Sequence, residues 1–189
     1  MRLLRLFVLY TALSLGANMS SAQEADFSAL LTAKQGEFKK LIVHDTPKPL
    51  PDIAIFDVTG KEIRFSDFAG KSLLINLWAE WCAPCRKEMP YLSQLQADKG
   101  SDAFEVITLA TIRFSQPRID QFFEEIGVDN LAKYNDPKGK FAFKIGIAAL
   151  PVSLLIDKNG NEVARVIGDA EWSSDTAYSL IDTFLQAQE

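Results

Sequence analysis

The stretch Ser72-Leu73-Leu74-Ile75-Asn76-Leu77-Trp78 runs almost without polar interruption into Trp81-Cys82-Ala83-Pro84-Cys85. An apolar run of that length, bounded by Gly70-Lys71, reads as a strand buried on both faces. Behind the cysteines, Arg86-Lys87-Glu88-Met89 and Tyr91-Leu92-Ser93-Gln94-Leu95 carry helical spacing. Cys82 and Cys85, the only two cysteines of the chain, therefore sit where a central strand ends and a helix begins. A helix N-terminus presents unpaired N–H groups and a partial positive charge. A thiolate is favoured there, and the thiolate is the reactive form of cysteine.

Several chemistries use a Cys-x-x-Cys pair. A structural zinc needs about four ligands, and apart from these two cysteines there is a single histidine, His44. Covalent haem attachment needs His directly after the second cysteine, where Arg86 stands. A plain structural disulfide suits small, core-poor domains, and this chain is long enough to bury a core. A redox dithiol that cycles with its disulfide remains.

The 189 residues fit one domain plus an export or linker segment. Formal net charge is −5; Arg2 and Arg5 are the only charges in residues 1–22, so the remainder carries −7. An acidic body argues against nucleic acid as a partner. Met1-Arg2-Leu3-Leu4-Arg5, the apolar Leu6 to Ala17 and the small residues Ser20-Ser21-Ala22 spell a secretory signal peptide over 1–22, with an uncleaved membrane anchor as the alternative. Both place the domain outside the cytoplasm, in the periplasm. There a protein whose only cysteines form a reactive motif donates or accepts disulfides.

Asp26 to Leu41 reads as a helix with an interrupted apolar stripe of Phe27, Leu30, Leu31, Phe38 and Leu41, weakened by Gly36. Thr46-Pro47-Lys48-Pro49-Leu50-Pro51 reads as a stiff extended connection. Residues 23–50 are thus an N-terminal helix and Pro-rich linker, and 51–189 the main domain. Ile53 to Asp57 and Lys61 to Phe65 flank a Thr59-Gly60 turn and form a hairpin. Ser66 caps a helical turn through Phe68.

Phe104 to Ala110 is a second central strand, Gln116 to Ile126 a helix stopped by Gly127, and Leu131 to Tyr134 a short edge strand. Lys138 to Ile145 is a helix. Val152 to Ile156 and Glu162 to Ile167 flank Asn159-Gly160, a hairpin signal. Ser174 caps a last helix through Leu185. The fold class is α/β, a mixed central sheet with helices on both faces and an N-terminal hairpin.

Trp78-Ala79-Glu80-Trp81-Cys82-Ala83-Pro84-Cys85 resembles a thioredoxin active site. The continuation Arg86-Lys87-Glu88-Met89-Pro90 is similar, more narrowly, to the exported thioredoxin-like proteins of the TlpA/ResA type. The likeness runs from about Val43 to the C-terminus and takes in Leu150-Pro151 and Gly168-Asp169-Ala170-Glu171-Trp172. It implies a thioredoxin-like fold with Pro151 in cis, and Leu150 offering its backbone as an edge to which a substrate peptide adds as a strand. It also implies service in cytochrome maturation or oxidase assembly. The partners would be apocytochrome c, an oxidase copper-site protein or its metallochaperone, with a membrane electron donor.

Roles follow. Cys82, nearer the helix end and the surface, is the expected attacking thiolate; Cys85 is the resolving thiol. Pro84 stiffens the turn between them. Trp78 is expected in the core and Trp81 on the surface beside Cys82. Thioredoxins carry a buried Asp where Asn76 stands, so that proton acceptor is absent. Glu88, three residues after Cys85 on the same helical face, takes its place by resemblance. Spacing alone leaves it a solvated acid in a helix's first turns, where the dipole favours it anyway.

The strongest periplasmic oxidants, near about −120 mV against about −270 mV for thioredoxin, resemble this motif but place His between their cysteines. Ala83-Pro84 supplies no cation, which favours a reductant. A copper chaperone would use the same thiolates but would want a further ligand such as a distal His; His44 lies upstream and reads as a surface loop residue. A thiol peroxidase would need a peroxidatic motif that the sequence lacks. No cofactor is called for.

Overall fold

A computed structural model describes residues 25–111 and 115–189. The signal-peptide reading of 1–22 lies outside the described residues. Around β4 (Ser72–Trp78), the strand that leads to the cysteines, the described residues build an eight-stranded sheet. The other strands are β1 (Leu41–Pro49), β2 (Ile55–Phe56), β3 (Glu62–Ile63), β5 (Phe104–Thr111), β6 (Ala132–Asp136), β7 (Val152–Ile156) and β8 (Asn161–Ile167), in the spatial order β1-β8-β7-β4-β5-β6-β2-β3. β4 and β5 run parallel, as do β5 and β6, whereas β7 is antiparallel to both β4 and β8. The helices are α1 (Ala83–Lys99), α2 (Gln116–Glu125), α3 (Lys140–Lys144) and α4 (Asp175–Gln186).

All seven residues of β4 are buried, as its apolar run requires of a strand covered on both faces. Its side chains alternate between two cores. Leu74 and Trp78 join the core formed with α1, α2 and α4. Leu73, Ile75 and Leu77 join the opposite one, which includes Phe141 and Ala142 of α3. Asn76 shares the parity of Leu74 and Trp78 and so faces α1. The buried side of α1 is Cys85, Glu88, Met89, Leu92 and Leu95, the 3–4 spacing of one helical face. A glutamate thus occupies a position that the pattern reserves for an apolar residue.

Several sequence expectations need correction. Residues 26–41 are not one helix but two short 3₁₀ turns, Ser28–Ala33 and Gly36–Lys40. Gly36 takes φ +58°, and Gln35 before it is extended; an αL residue cannot continue a right-handed helix. The apolar stripe still works: Phe27, Leu30, Phe38 and Leu41 are buried against the domain, while Leu31 is exposed.

The Pro-rich stretch is no free linker either. Leu41–Pro49 forms β1, an edge strand antiparallel to β8, with an irregularity between Val43 and Lys48. Prolines are tolerated at a sheet edge because the missing N–H faces away from the ladder. β6 is not an edge strand, since β2 pairs beyond it through Phe56 and Asn135. The turn Phe65–Phe68 is capped by Arg64, whose backbone N–H donates to Asp67, and not by Ser66. No described helix is long and apolar enough to cross a membrane.

Candidate functional site

Cys82 is the N-cap of α1, with Pro84 in the helix's first turn. Its backbone is extended and its Sγ accepts a hydrogen bond of 3.3 Å from the Cys85 N–H. The two sulfurs are joined in a disulfide, with Cα atoms 5.3 Å apart. Cys82 retains 4% exposure and Cys85 none; only the first can be met from solution. The thiolate of a reduced Cys82 would sit among the free N–H groups of the helix start.

Around the pair, Trp78 is buried and packs on Phe122 and Phe123, with ring centroids 4.9 and 5.5 Å away. Trp81, by contrast, is 71% exposed. Arg86 lies with its guanidinium carbon 5.0 Å from the Phe122 centroid, and Lys87 pairs loosely with Asp169 at 3.8 Å. Leu77 of β4 pairs with Val152 of β7, so Pro151 comes at the end of β4 from which the cysteine loop departs. The Leu150-Pro151 bond is cis. Leu150 is half-buried against the core that contains both cysteines.

Glu88 is 1% exposed, which overturns the reading of a solvated helix acid. Its Oε1 accepts from Asn76 Nδ2 at 2.8 Å. Its Oε2 accepts from the Ala170 backbone N–H and from Trp172 Nε1, both at 3.3 Å. Burial pushes its pKa up to about 8. The three donors favour the ionised form and oppose that rise, while the negative charge of Asp169 adds slightly to it. Asn76 Nδ2 donates also to Ser153 Oγ on β7, at 2.9 Å.

Asn76, Trp172 and Ala170 escaped the sequence reading as partners of Glu88. One signal was available: Asn76 is a lone amide in a buried apolar run, and a buried polar group needs a partner. For Ala170 there was none, because a backbone N–H carries no sequence mark. His44 is also relocated. It belongs to β1, its side chain is only 8% exposed, and its Nε2 lies 2.6 Å from Glu162 Oε1.

A helix-capping cysteine that keeps slight exposure, a fully buried partner cysteine and a buried carboxyl make a dithiol centre. The redoxin family pattern matches residues 46–181. The thiol-disulfide oxidoreductase ResA of Bacillus cereus is 33% identical over 146 residues, spanning 73% of this chain and 79% of that protein. This chain belongs to the redoxin family, among the ResA thiol-disulfide oxidoreductases.

ResA of Bacillus subtilis is 30% identical over 118 residues, 62% of this chain and 65% of that one. Among solved structures, a thiol:disulfide interchange protein of the DsbE kind from Chlorobium tepidum superposes with a TM-score of 0.66 at 27% identity, over 75% of this chain and 98% of that one. The exposed lipoprotein thioredoxin of Streptococcus pneumoniae gives a TM-score of 0.60 at 26% identity, over 72% and 99%. The thioredoxin-like fold is thereby established, and the ResA-type chain is a thiol-disulfide oxidoreductase whose paired cysteines form the disulfide.

Proposed function

We propose that the protein is an exported reductant of protein disulfides, with Cys82 as nucleophile, Cys85 as resolving thiol and Glu88 as proton acceptor. The observation that carries this reading is the buried Glu88 carboxyl, raised to about 8, on the α1 face that also buries Cys85. A base with a pKa near the working pH both takes and returns a proton efficiently.

The Cys82 thiolate attacks one sulfur of the substrate disulfide. A Cys82–substrate disulfide forms, and the first substrate sulfur leaves as a thiolate that takes a proton from water. The Cys85 thiol then gives its proton to the ionised Glu88 carboxylate. The resulting thiolate attacks Cys82 Sγ, expels the second substrate sulfur and closes the Cys82–Cys85 disulfide. Two electrons have passed from the protein to the substrate. Glu88 returns the proton to the departing thiolate or to solvent. A membrane electron donor then restores the dithiol.

Ala83 and Pro84 bring no cation between the cysteines, which leaves the reduced form without the extra stabilisation of a strong oxidant. Exposed Trp81 and the Leu150-Pro151 edge supply an apolar, strand-accepting surface for a peptide carrying the target disulfide. By resemblance to the TlpA/ResA proteins, that target is apocytochrome c, an oxidase copper-site protein or its metallochaperone, outside the cytoplasm. Reduced protein should therefore reduce insulin disulfides, and Cys85→Ser should accumulate a mixed disulfide through Cys82. Copper binding in place of insulin reduction would overturn the assignment.

A further inference from the structure

Two of the three donors to Glu88 come from one loop, residues 168–174, and that loop is held from outside the redoxin match. Phe38, in the turn Gly36–Lys40, is fully buried and meets Trp172 edge-on, with centroids 5.3 Å apart. Next to it, Glu37 Oε2 accepts the Glu171 backbone N–H at 2.5 Å, and its Oε1 accepts from Ser174 Oγ at 2.9 Å. The middle and the C-terminal end of the loop are thus tied to the same five-residue turn. The redoxin match begins at residue 46, so Glu37 and Phe38 lie before it.

We propose that the Gly36–Lys40 turn is a clamp that positions Glu88, by holding residues 168–174 where the Ala170 N–H and the Trp172 indole N–H reach Glu88 Oε2. Both of those hydrogen bonds are 3.3 Å long, near the limit of useful geometry. A loop displacement of a few tenths of an ångström therefore loses them. The clamp also walls a cleft of about 260 Å³ that reaches Glu88 and is lined by Glu37, Lys87, Tyr91, Asp169, Ala170 and Glu171. The charged groups around Glu88 are Lys87 from α1, Asp169 and Glu171 from the loop and Glu37 from the clamp. Asn76 of β4, which donates to Glu88 from the sheet side, and Ser153 of β7 beyond it bring no charge. The contacts of Glu37 and Phe38 with Glu171, Trp172 and Ser174 carry their effect to Glu88 through the loop.

The inference rests on the proposed role of Glu88 only for its kinetic consequence. Its direct test is the titration of the Glu88 carboxyl, followed by carbon NMR in the oxidised full-length protein. Phe38→Ala removes the ring contact without changing charge, and Phe38→Tyr keeps it. In Phe38→Ala the loop gives up both its donors and its cover of the carboxyl, so the Glu88 midpoint should move from its wild-type value and the Trp172 indole N–H should exchange faster with solvent. Phe38→Tyr should restore both.

Glu37→Gln, at an exposed position, carries the same test should Phe38→Ala fail to fold. It weakens the hold on Glu171 and Ser174 and should speed exchange of the same indole N–H. An unchanged midpoint together with unchanged indole exchange in the folded variants overturns the clamp. That result is separable from failure of the Glu88 reading, which would show as wild-type kinetics in Glu88→Gln whatever the clamp variants do.

Discussion

Asn76 Nδ2 lies 2.8 Å from Glu88 Oε1, joining the middle of the central strand to the first turns of the active-site helix. The amide stands where thioredoxins carry their buried acid, by resemblance, and here it serves as a donor to an acid on the neighbouring element. The same Nδ2 reaches Ser153 at 2.9 Å. Strand, helix and the strand that follows Pro151 are thereby tied at one polar point inside an otherwise apolar core.

Glu88→Gln keeps the shape of the side chain and removes its titration. Attack by Cys82 should be preserved and resolution by Cys85 slowed about tenfold to a hundredfold, the lower range for general-base catalysis. In wild type the resolution rate should rise with pH through about 8 as Glu88 ionises, and in the variant that rise should vanish. Quenched-flow detection of the mixed disulfide is the measurement; matching pH profiles would leave water or a substrate group as the acceptor.

The same group sets a pH dependence of stability. Its folded pKa of about 8 stands above the ordinary value of about 4.3. Between these values the native state holds a proton that the unfolded chain has lost. Stability must therefore fall as pH rises through this window, by an amount on the order of 3–5 kcal/mol from this group. Glu88→Gln should not share that decline. Urea unfolding of the oxidised proteins at pH 5 and pH 9, values chosen to bracket the window, checks this; parallel behaviour would mean that Glu88 ionises without cost in the fold.

Asn76→Asp would set a second carboxyl against Glu88 in the same buried space. Two carboxylates that close cannot both ionise readily, so they should titrate as a coupled pair with one value driven well upward. Relative to wild type, the variant should lose about 3 kcal/mol more at pH 9 than at pH 5, the scale of an uncompensated buried charge. Equal losses at both pH values would show that the new acid escapes the Glu88 environment.

In the reduced protein, iodoacetamide should modify Cys82 alone at neutral pH. Cys82 is the helix N-cap and keeps some exposure, whereas Cys85 is fully enclosed. Peptide mass spectrometry reads the site, and equal labelling of Cys85 would reverse the two assignments.

Much of this was legible from local pattern. The apolar run before Cys82 read as a covered strand, the spacing after Cys85 read as a helix, and their junction put the thiols at a helix N-terminus. Asn159-Gly160 marked the β7–β8 hairpin, and Ser174 does accept from the Ala177 N–H at the start of α4. These features depend on residues near one another in the chain, so a linear reading reaches them.

The state of Glu88 could not be read that way. Its spacing from Cys85 fits a solvated acid equally well, and its partners come from positions 76, 170 and 172, which only the closed sheet and its final loop bring together. Burial, not sequence neighbourhood, supplies the desolvation that raises its pKa. The N-terminal segment teaches the same lesson in reverse. Propensity across residues 26–41 suggested a helix, yet Gly36 breaks the chain into two turns and the gain from burying Phe38 and Leu41 decides where they lie. Sequence nominated the groups proposed to carry the chemistry; the tertiary structure decided the environment that sets the protonation of Glu88, because the free energy of a buried charge depends on every element packed around it.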